Sequence, residues 1–402
     1  MKEWKTYRVG DICSSISETY KVHAKEVVLI NTSDVLEGRC LNHELVPNKD
    51  LKGQFKKVFK FGDILYSEIR PANKRFAYID FDATNYIAST KLMVIRNNDK
   101  VTNRFLYHYL KSESTIAELQ AFAESRSGTF PQITFSELSQ LEISIPDIET
   151  QVAISSFIDT LESKIELNRQ INDNLEQQIQ TLYREWFIDN PKTEWATIAL
   201  SEVATFVSGY SYKGNELVDS SETAMATIKN FERNGGFKLD GYKPVSPSSK
   251  LKEEQHAELF DILVAHTDLT QNAEVIGNAE IILSKDSYRD VIFSMDIVKV
   301  VAKESFPYQF LLALLLKNPV FKSHCIGYVN GTTVLHMNKR ALPDFNTQIP
   351  TCEDAARMNE IAKSIFTKMS ENLSEIANLT KLRDSLLPKL MSGELEINKT
   401  DC

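Results

Sequence analysis

Between Pro146 and Phe187 the apolar residues recur at alternating steps of four and three. The steps fall on Ile154, Ile158, Leu161, Ile165, Asn168, Asn172, Leu175, Ile179, Leu182 and Trp186, and eight of these ten are apolar. Most residues between them are polar. This is an a/d heptad seam, the signature of a long helix packed on another helix. Asp147 stands where it can cap the free N–H groups of the first turn, and Asp189-Asn190-Pro191 ends the pattern. Adding 204 to each position gives Met358, Ala362, Ile365, Met369, Asn372, Ile376, Leu379, Arg383, Leu386 and Leu390, again with eight apolar members. Pro350, Thr351 and Asp354 supply the second start signal. Two unrelated surface helices are the competing reading. An ordinary helix rarely keeps a strict seam beyond about 25 residues, which disfavours it.

The segments before each helix have a different rhythm. Glu26–Ile30 (EVVLI) and Lys91–Arg96 (KLMVIR) are short runs rich in β-branched residues, and Phe61–Leu65 is a turn entering a strand. Ile69–Arg75 and Ser125–Thr129 are expected as polar loops, and Phe105–Lys111 as the start of a helix. The segment after the first helix repeats this plan. Trp195 answers Trp4, Asp261-Ile262-Leu263 answers Asp63-Ile64-Leu65, Phe310-Leu311 answers Phe105-Leu106, and Gly331-Thr332 answers Gly128-Thr129. Phe260 stands where the first copy has Gly62. The organisation is therefore a mixed α/β domain over 1–146, a long helix over 147–190, a second similar α/β domain over 191–350, and a second long helix with its tail over 351–402. Pro388 is expected to end or kink the second helix, with Gly393 as a cap or turn.

Composition narrows the class. Across 402 residues, 42% are hydrophobic and 25% charged, which suits two or three folded domains. No apolar run is long enough to span a bilayer, and MKEWKTYRVGD lacks the apolar core of an export signal. Cys13, Cys40, Cys325, Cys352 and Cys402 form no CxxC pair and read as free thiols of a cytoplasmic protein. The net charge of −9 means that any nucleic-acid contact must use local basic surfaces.

No catalytic signature survives a search. There is no GxxxxGK[ST] loop, no GxGxxG after a strand and no Asn-Pro-Pro-aromatic tetrapeptide. The seven histidines show no ligand spacing. Pro146-Asp147 followed by Glu162-Ser163-Lys164 looks nuclease-like, but Asp147 is better used as a helix cap and Glu162 lies beside the seam. What remains are polar and basic loop residues. Arg70, Asn73, Lys74 and Arg75 can meet phosphates and bases or simply solvate a turn. Asn31 and Ser33, with Lys229 and Asn230 at the corresponding place, can read base edges or cap turns. Lys91, Arg126, Thr129, Arg233, His266, Asn272, Thr332 and Lys339 complete the candidate DNA-contacting set. Asn168, Asn172 and Asn372 lie on the seam, where amides fix register.

The residues now resemble a known family. IPDIETQVAISSFIDTLESKIELNRQINDNLEQQIQTLYREWF resembles the central conserved region of the specificity subunit of Type I restriction–modification systems, and LTKLRDSLLPKLMSGELEI its distal conserved region. FGDILYSEIRP and SRSGTFPQI are similar to parts of its target-recognition domains. The resemblance implies two target-recognition domains that each read half of a split sequence in double-stranded DNA. The two helices would form an antiparallel coiled coil with pseudo-twofold symmetry that sets the gap. It implies partners as well: two DNA methyltransferase subunits and restriction or motor subunits. S-adenosylmethionine, ATP and Mg²⁺ would belong to those partners, with no cofactor in this chain. An antiparallel pair about the seam centres puts Asn172 opposite Asn372 and Asn168 opposite Ile376. The alternative from another class is a coiled-coil adaptor with two protein-binding domains.

Overall fold

The computed structural model describes residues 4–21, 24–49, 51, 53–126, 130–332 and 334–396. The chain divides into two compact units. The first comprises Met1–Ser163 with Leu379–Cys402, and the second Lys164–Asn378. Each long helix therefore contributes one part to each unit.

In the first unit a four-stranded antiparallel sheet has the order Cys13–Ile16, Leu92–Asn97, Ile64–Ser67, Phe76–Tyr78. The apolar run Ile64–Ser67 is buried along its whole length, as an inner strand covered on both faces must be. A second sheet holds Glu26–Ile30 and Tyr86–Ser89 as a parallel pair, flanked by Val46–Pro47 and Phe55–Lys57. Lys5–Arg8 pairs with Glu142–Ile145, bringing the start of the domain to the foot of the first long helix.

The second unit repeats the main sheet and the parallel pair, while its smaller sheet has three strands and a further three-stranded sheet is added. Its main sheet runs Ala204–Ser208, Ile297–Ala302, Ile262–Ala265, Ala279–Ile281, with Ile262–Ala265 fully buried. Thr223–Ala226 and Asp290–Phe293 form the parallel pair, and Ala196–Ala199 pairs with Asn346–Ile349. The duplication reaches single residues. Gly62 has φ 86° and Phe260, its counterpart, φ 72°. Gly62 N donates to Ile79 O (2.8 Å) and Phe260 N to Ile282 O (2.7 Å). The carbonyls of the two residues accept from Asn103 and Gln309 at the start of equivalent helices. Phe260 adopts a conformation costly for a non-glycine residue and packs edge-on to Phe310, with centroids 5.2 Å apart.

The first long helix spans Ile148–Tyr183 and closes in a π turn, Arg184–Asp189. Asp147 caps it, accepting from Thr150 N (2.9 Å) and Thr150 Oγ1 (3.0 Å). The second spans Cys352–Ser392. It does not stop at Pro388, which excludes the first of the two outcomes, an end or a kink, expected there. Leu387 and Leu390, on either side of the proline, are buried in the core of the first unit, and that burial offsets the lost hydrogen bond. The helix ends instead at Gly393, φ 78°. Ser125 and Arg126, expected in a loop, extend the helix Glu113–Arg126.

The helices are antiparallel within each unit. In the first, Ile154 and Ile158 from the start of one share a core with Leu386, Leu387 and Leu390 from the end of the other. In the second, Ile179 and Leu182 share a core with Met358, Ala362 and Ile365. Asn372 Nδ2 donates to Asn172 Oδ1 at 2.8 Å, and Asn172 Nδ2 to Met369 O at 3.2 Å. Asn168, buried beside them, donates to Glu375 Oε2 (2.8 Å) rather than lying against Ile376 alone. Cys13, Cys40, Cys325 and Cys352 are unpaired thiols; Cys402 lies outside the described residues.

Candidate nucleic-acid interface

In the first unit the buried strand Ile64–Ser67 delivers the chain into a basic loop. Arg70 (φ 43°) and Lys74 (φ 53°) both take left-handed backbone and bracket a 3₁₀ turn, Pro71–Asn73. Such conformations persist only where their surroundings over-determine them, and they gather at functional sites. Here Arg70 N donates to Pro131 O (3.1 Å), Ala72 N to Gln120 Oε1 (3.1 Å), Glu37 N to Lys74 O (2.9 Å) and Ser67 N to Arg75 O (2.8 Å). Pro71 is buried beneath the loop. The side chains of Arg70 and Asn73 are left exposed, and Arg70 makes no ion pair among the described residues.

The other candidates of this unit are partly consumed by structure. Lys74 pairs with Glu113. Arg75 donates to Ser33 O (3.0 Å) and Val35 O (3.4 Å), tying the loop to the neighbouring 3₁₀ turn Thr32–Asp34. Asn31 caps that turn, its Oδ1 accepting from Thr32 N at 2.9 Å, while its own N–H donates to Asp34 Oδ2. Ser33 is exposed at the tip and donates to Asp34 Oδ1. Lys91 donates to Gln132 Oε1 (3.1 Å) and pairs with Glu68 (3.4 Å). Thr129 and the side chain of Arg126 lie outside the described residues.

In the second unit Thr227 caps the matching turn, Ile228–Asn230. Asn230 corrects the sequence reading. It is fully buried; its Oδ1 accepts from Thr227 N (2.8 Å) and its Nδ2 donates to Lys238 O (2.7 Å), so it shapes the loop and presents nothing outward. Lys229 is exposed and unpaired among the described residues, and Arg233 pairs with Glu274 at 3.0 Å. With Lys238, Glu232 and Asp240 they line an open pocket of about 520 Å³. After the strand Ile262–Ala265 the chain makes a second tight loop. Buried Asp268 accepts from Thr270 N (2.7 Å), Thr270 Oγ1 (2.9 Å) and Val275 N (2.7 Å), leaving Asn272 exposed beside the left-handed Ala273. Thr332 O accepts from Gln271 Nε2. Burial, reinforced by His336 and Lys339, pushes His266 below the usual histidine range, so it faces this surface as a neutral ring. Lys339 is exposed.

A buried polar cluster went unseen in the sequence. Asp159 of the first long helix accepts from His108 Nε2 (2.9 Å) and Arg104, while Glu162 pairs with Lys111 and Arg383 (3.6 Å). Burial opposes the charge on Asp159, but the hydrogen bonds from His108 and Arg104 hold its carboxyl down at about 2. His108, Asp159 and Glu162 are close enough to suggest a metal site. The cations already on both carboxylates make the cluster an anchor of the helix instead. Only the shared position of Lys111 and Lys317, each a few residues past the matched Phe-Leu pairs, hinted at it.

The described helices include none long and apolar enough to cross a membrane. Residues 1–177 match the family model described as "Type I restriction modification DNA specificity domain". The chain is 34% identical to the specificity subunit of the Type I restriction enzyme HindI of Haemophilus influenzae, over 98% of this chain and 100% of that protein. It is 22% identical to the MjaIX specificity subunit of Methanocaldococcus jannaschii, over 88% and 82%. Its fold is that of the S subunit of a Type I restriction–modification system from M. genitalium, with TM-score 0.55 at 16% identity over 99% and 97% of the two chains. Duplicated α/β units carried on paired long helices are thus an inherited plan, and the chain belongs to the specificity subunits of Type I restriction–modification systems, the non-catalytic subunits that recognise the DNA sequence.

Proposed function

We propose that this chain reads a split sequence in double-stranded DNA, the first unit on one half and the second on the other. One observation carries this reading. Corresponding loops of the two units are tightly held, yet the residues they present differ: Arg70 and Asn73 after one inner strand and Asn272 after its counterpart, Ser33 and Lys229 at the matching 3₁₀ turns. Constant scaffolds with divergent loops are how recognition specificity is varied. Exposed cations position the phosphates, and amides such as Asn73 and Asn272 suit adenine edges. The seam fixes the helices while the loops choose bases. Two methyltransferase subunits and the restriction subunits dock on this frame in the cytoplasm. S-adenosylmethionine, ATP and Mg²⁺ enter with those partners, and this chain binds none of them.

Replacing residues 1–146 by the same region of a relative, with both long helices kept, tests the division of labour. Selection of bound duplexes from a randomised pool should return a sequence changed in one half only. A change in both halves refutes it.

A further inference from the structure

Two lysines occupy the same place in the two units. Lys111 closes the helix Asn103–Leu110, and Lys317 closes Gln309–Leu316. Their side chains are only 10% and 11% exposed, and each is paired with a glutamate of the first long helix: Lys111 with Glu162, Lys317 with Glu176 (3.3 Å). A lysine so far from water keeps its charge only against carboxylates held in place for it.

In the second unit the contacts continue outward. Lys317 also pairs with Glu280 on the strand Ala279–Ile281, and Glu280 Oε1 accepts from Gly236 N at 2.6 Å. Gly236 closes the turn that the Phe231–Phe237 bridge brackets, which carries Arg233. A pocket of about 380 Å³ lies between this turn and the helix, lined by Asn172 and Glu176 on one side and Gly236 and Phe237 on the other. The polar chain Glu176–Lys317–Glu280–Gly236 spans that gap. The first unit differs. Among the described residues Lys111 pairs with Glu162 and lies over the Tyr107 ring, and the Arg70 loop is held within its own domain by backbone bonds, by Gln120 and by the Lys74–Glu113 pair.

We infer that Lys317 is a positioning residue for recognition: through Glu280 it fixes the turn that presents Arg233, and through Glu176 it ties that turn to the first long helix. This rests on the reading of Arg233 and its neighbours as DNA-facing. It makes base choice in the second half-site depend on the helix, while choice in the first does not.

The test is Glu176→Gln in the full chain, three contacts away from the turn. Amide hydrogen exchange should show Gly236 opening at least threefold faster. Selection from a randomised duplex pool should show discrimination at the second half-site falling at least threefold, with the first unchanged. Lys317→Met/Glu280→Gln, which removes the central charges together so that neither is stranded, should lower that discrimination at least tenfold. Lys317→Arg should retain most of it. Unchanged Gly236 exchange and unchanged discrimination in Glu176→Gln overturn the inference. If the unsubstituted chain selects no sequence, it is the DNA reading that fails, and Gly236 exchange still decides the relay.

Discussion

The asparagine pair at the centre of the coil offers a sharp energetic test. Asn372 is 1% exposed and donates to Asn172 Oδ1 at 2.8 Å, and Asn172 donates in turn to Met369 O. Asn372→Leu alone strands that oxygen in an apolar seam, and an unsatisfied buried acceptor costs about 1–3 kcal/mol. Changing both to leucine removes the stranded group and adds one buried and one half-buried apolar side chain, full burial being worth about 1.5–3 kcal/mol against exposure. The single variant should therefore lose about 1–2 kcal/mol and the double gain about 1–3, a coupling of at least about 2 kcal/mol between the two sites. The unit that contains the pair spans Lys164–Asn378, a size at which 1 kcal/mol moves the melting temperature by about 2–4 °C. Scanning calorimetry of the full chain, with the transition of this unit resolved, reads the cycle. A double variant melting below either single variant would refute the reasoning, because the pair would then be stabilising in its own right and not a device of register.

Two further outcomes follow from the same contacts. A Cβ on Gly62, at φ 86°, would strike Asn103 Nδ2, so Gly62→Ala should cost about 1–2 kcal/mol by denaturant titration. Phe260→Gly relieves the same backbone but gives up the Phe310 contact, and should change stability by less than about 1 kcal/mol; equal losses at the two sites would contradict the shared geometry. Asp159 titrates near 2 in the fold against about 4 in the unfolded chain, so its contribution is complete above pH ~4 and is lost as the pH falls toward 2. The stability gap between the protein and Asp159→Asn, measured by urea midpoints across pH, should shrink by about 2 kcal/mol over that interval, and a gap independent of pH would remove Asp159 from the anchor.

The parts of this fold that were legible in the sequence are those with a local period. A heptad seam is written in consecutive residues, so the helices and their caps could be placed from spacing, and the Asn172–Asn372 pair once the resemblance implied antiparallel helices. Strands such as Glu26–Ile30 and Ile64–Ser67 were legible for the same reason. That the helix continues past Pro388 was not legible because propensity is a local quantity, whereas the burial of Leu387 and Leu390 comes from contacts with the other end of the chain. Asn230 stayed open between two roles because an amide that caps a turn and one that meets a base look alike until burial is known. The buried lysines were invisible, since lysine is ordinarily solvated and nothing in its neighbours along the chain announces a distant glutamate.

Gly62 and Phe260 show how the two copies have diverged. Glycine is the easy residue for a left-handed position, yet the second copy holds the same φ with a phenylalanine, the same strand contact, and a glutamine where the first has an asparagine. The backbone path has been kept while the side chains that enforce it changed. That pattern is expected where the path, and not the residue, is under constraint: the turn feeds the buried strand whose far end launches each polar loop. The loops show the opposite. Arg70 and Lys74 hold one of them in left-handed backbone, whereas the other is built on the carboxylate of Asp268, with different side chains presented. Enforcing geometry by new residues at one end of a strand, and new geometry at the other, is how a duplicated scaffold comes to present two different surfaces.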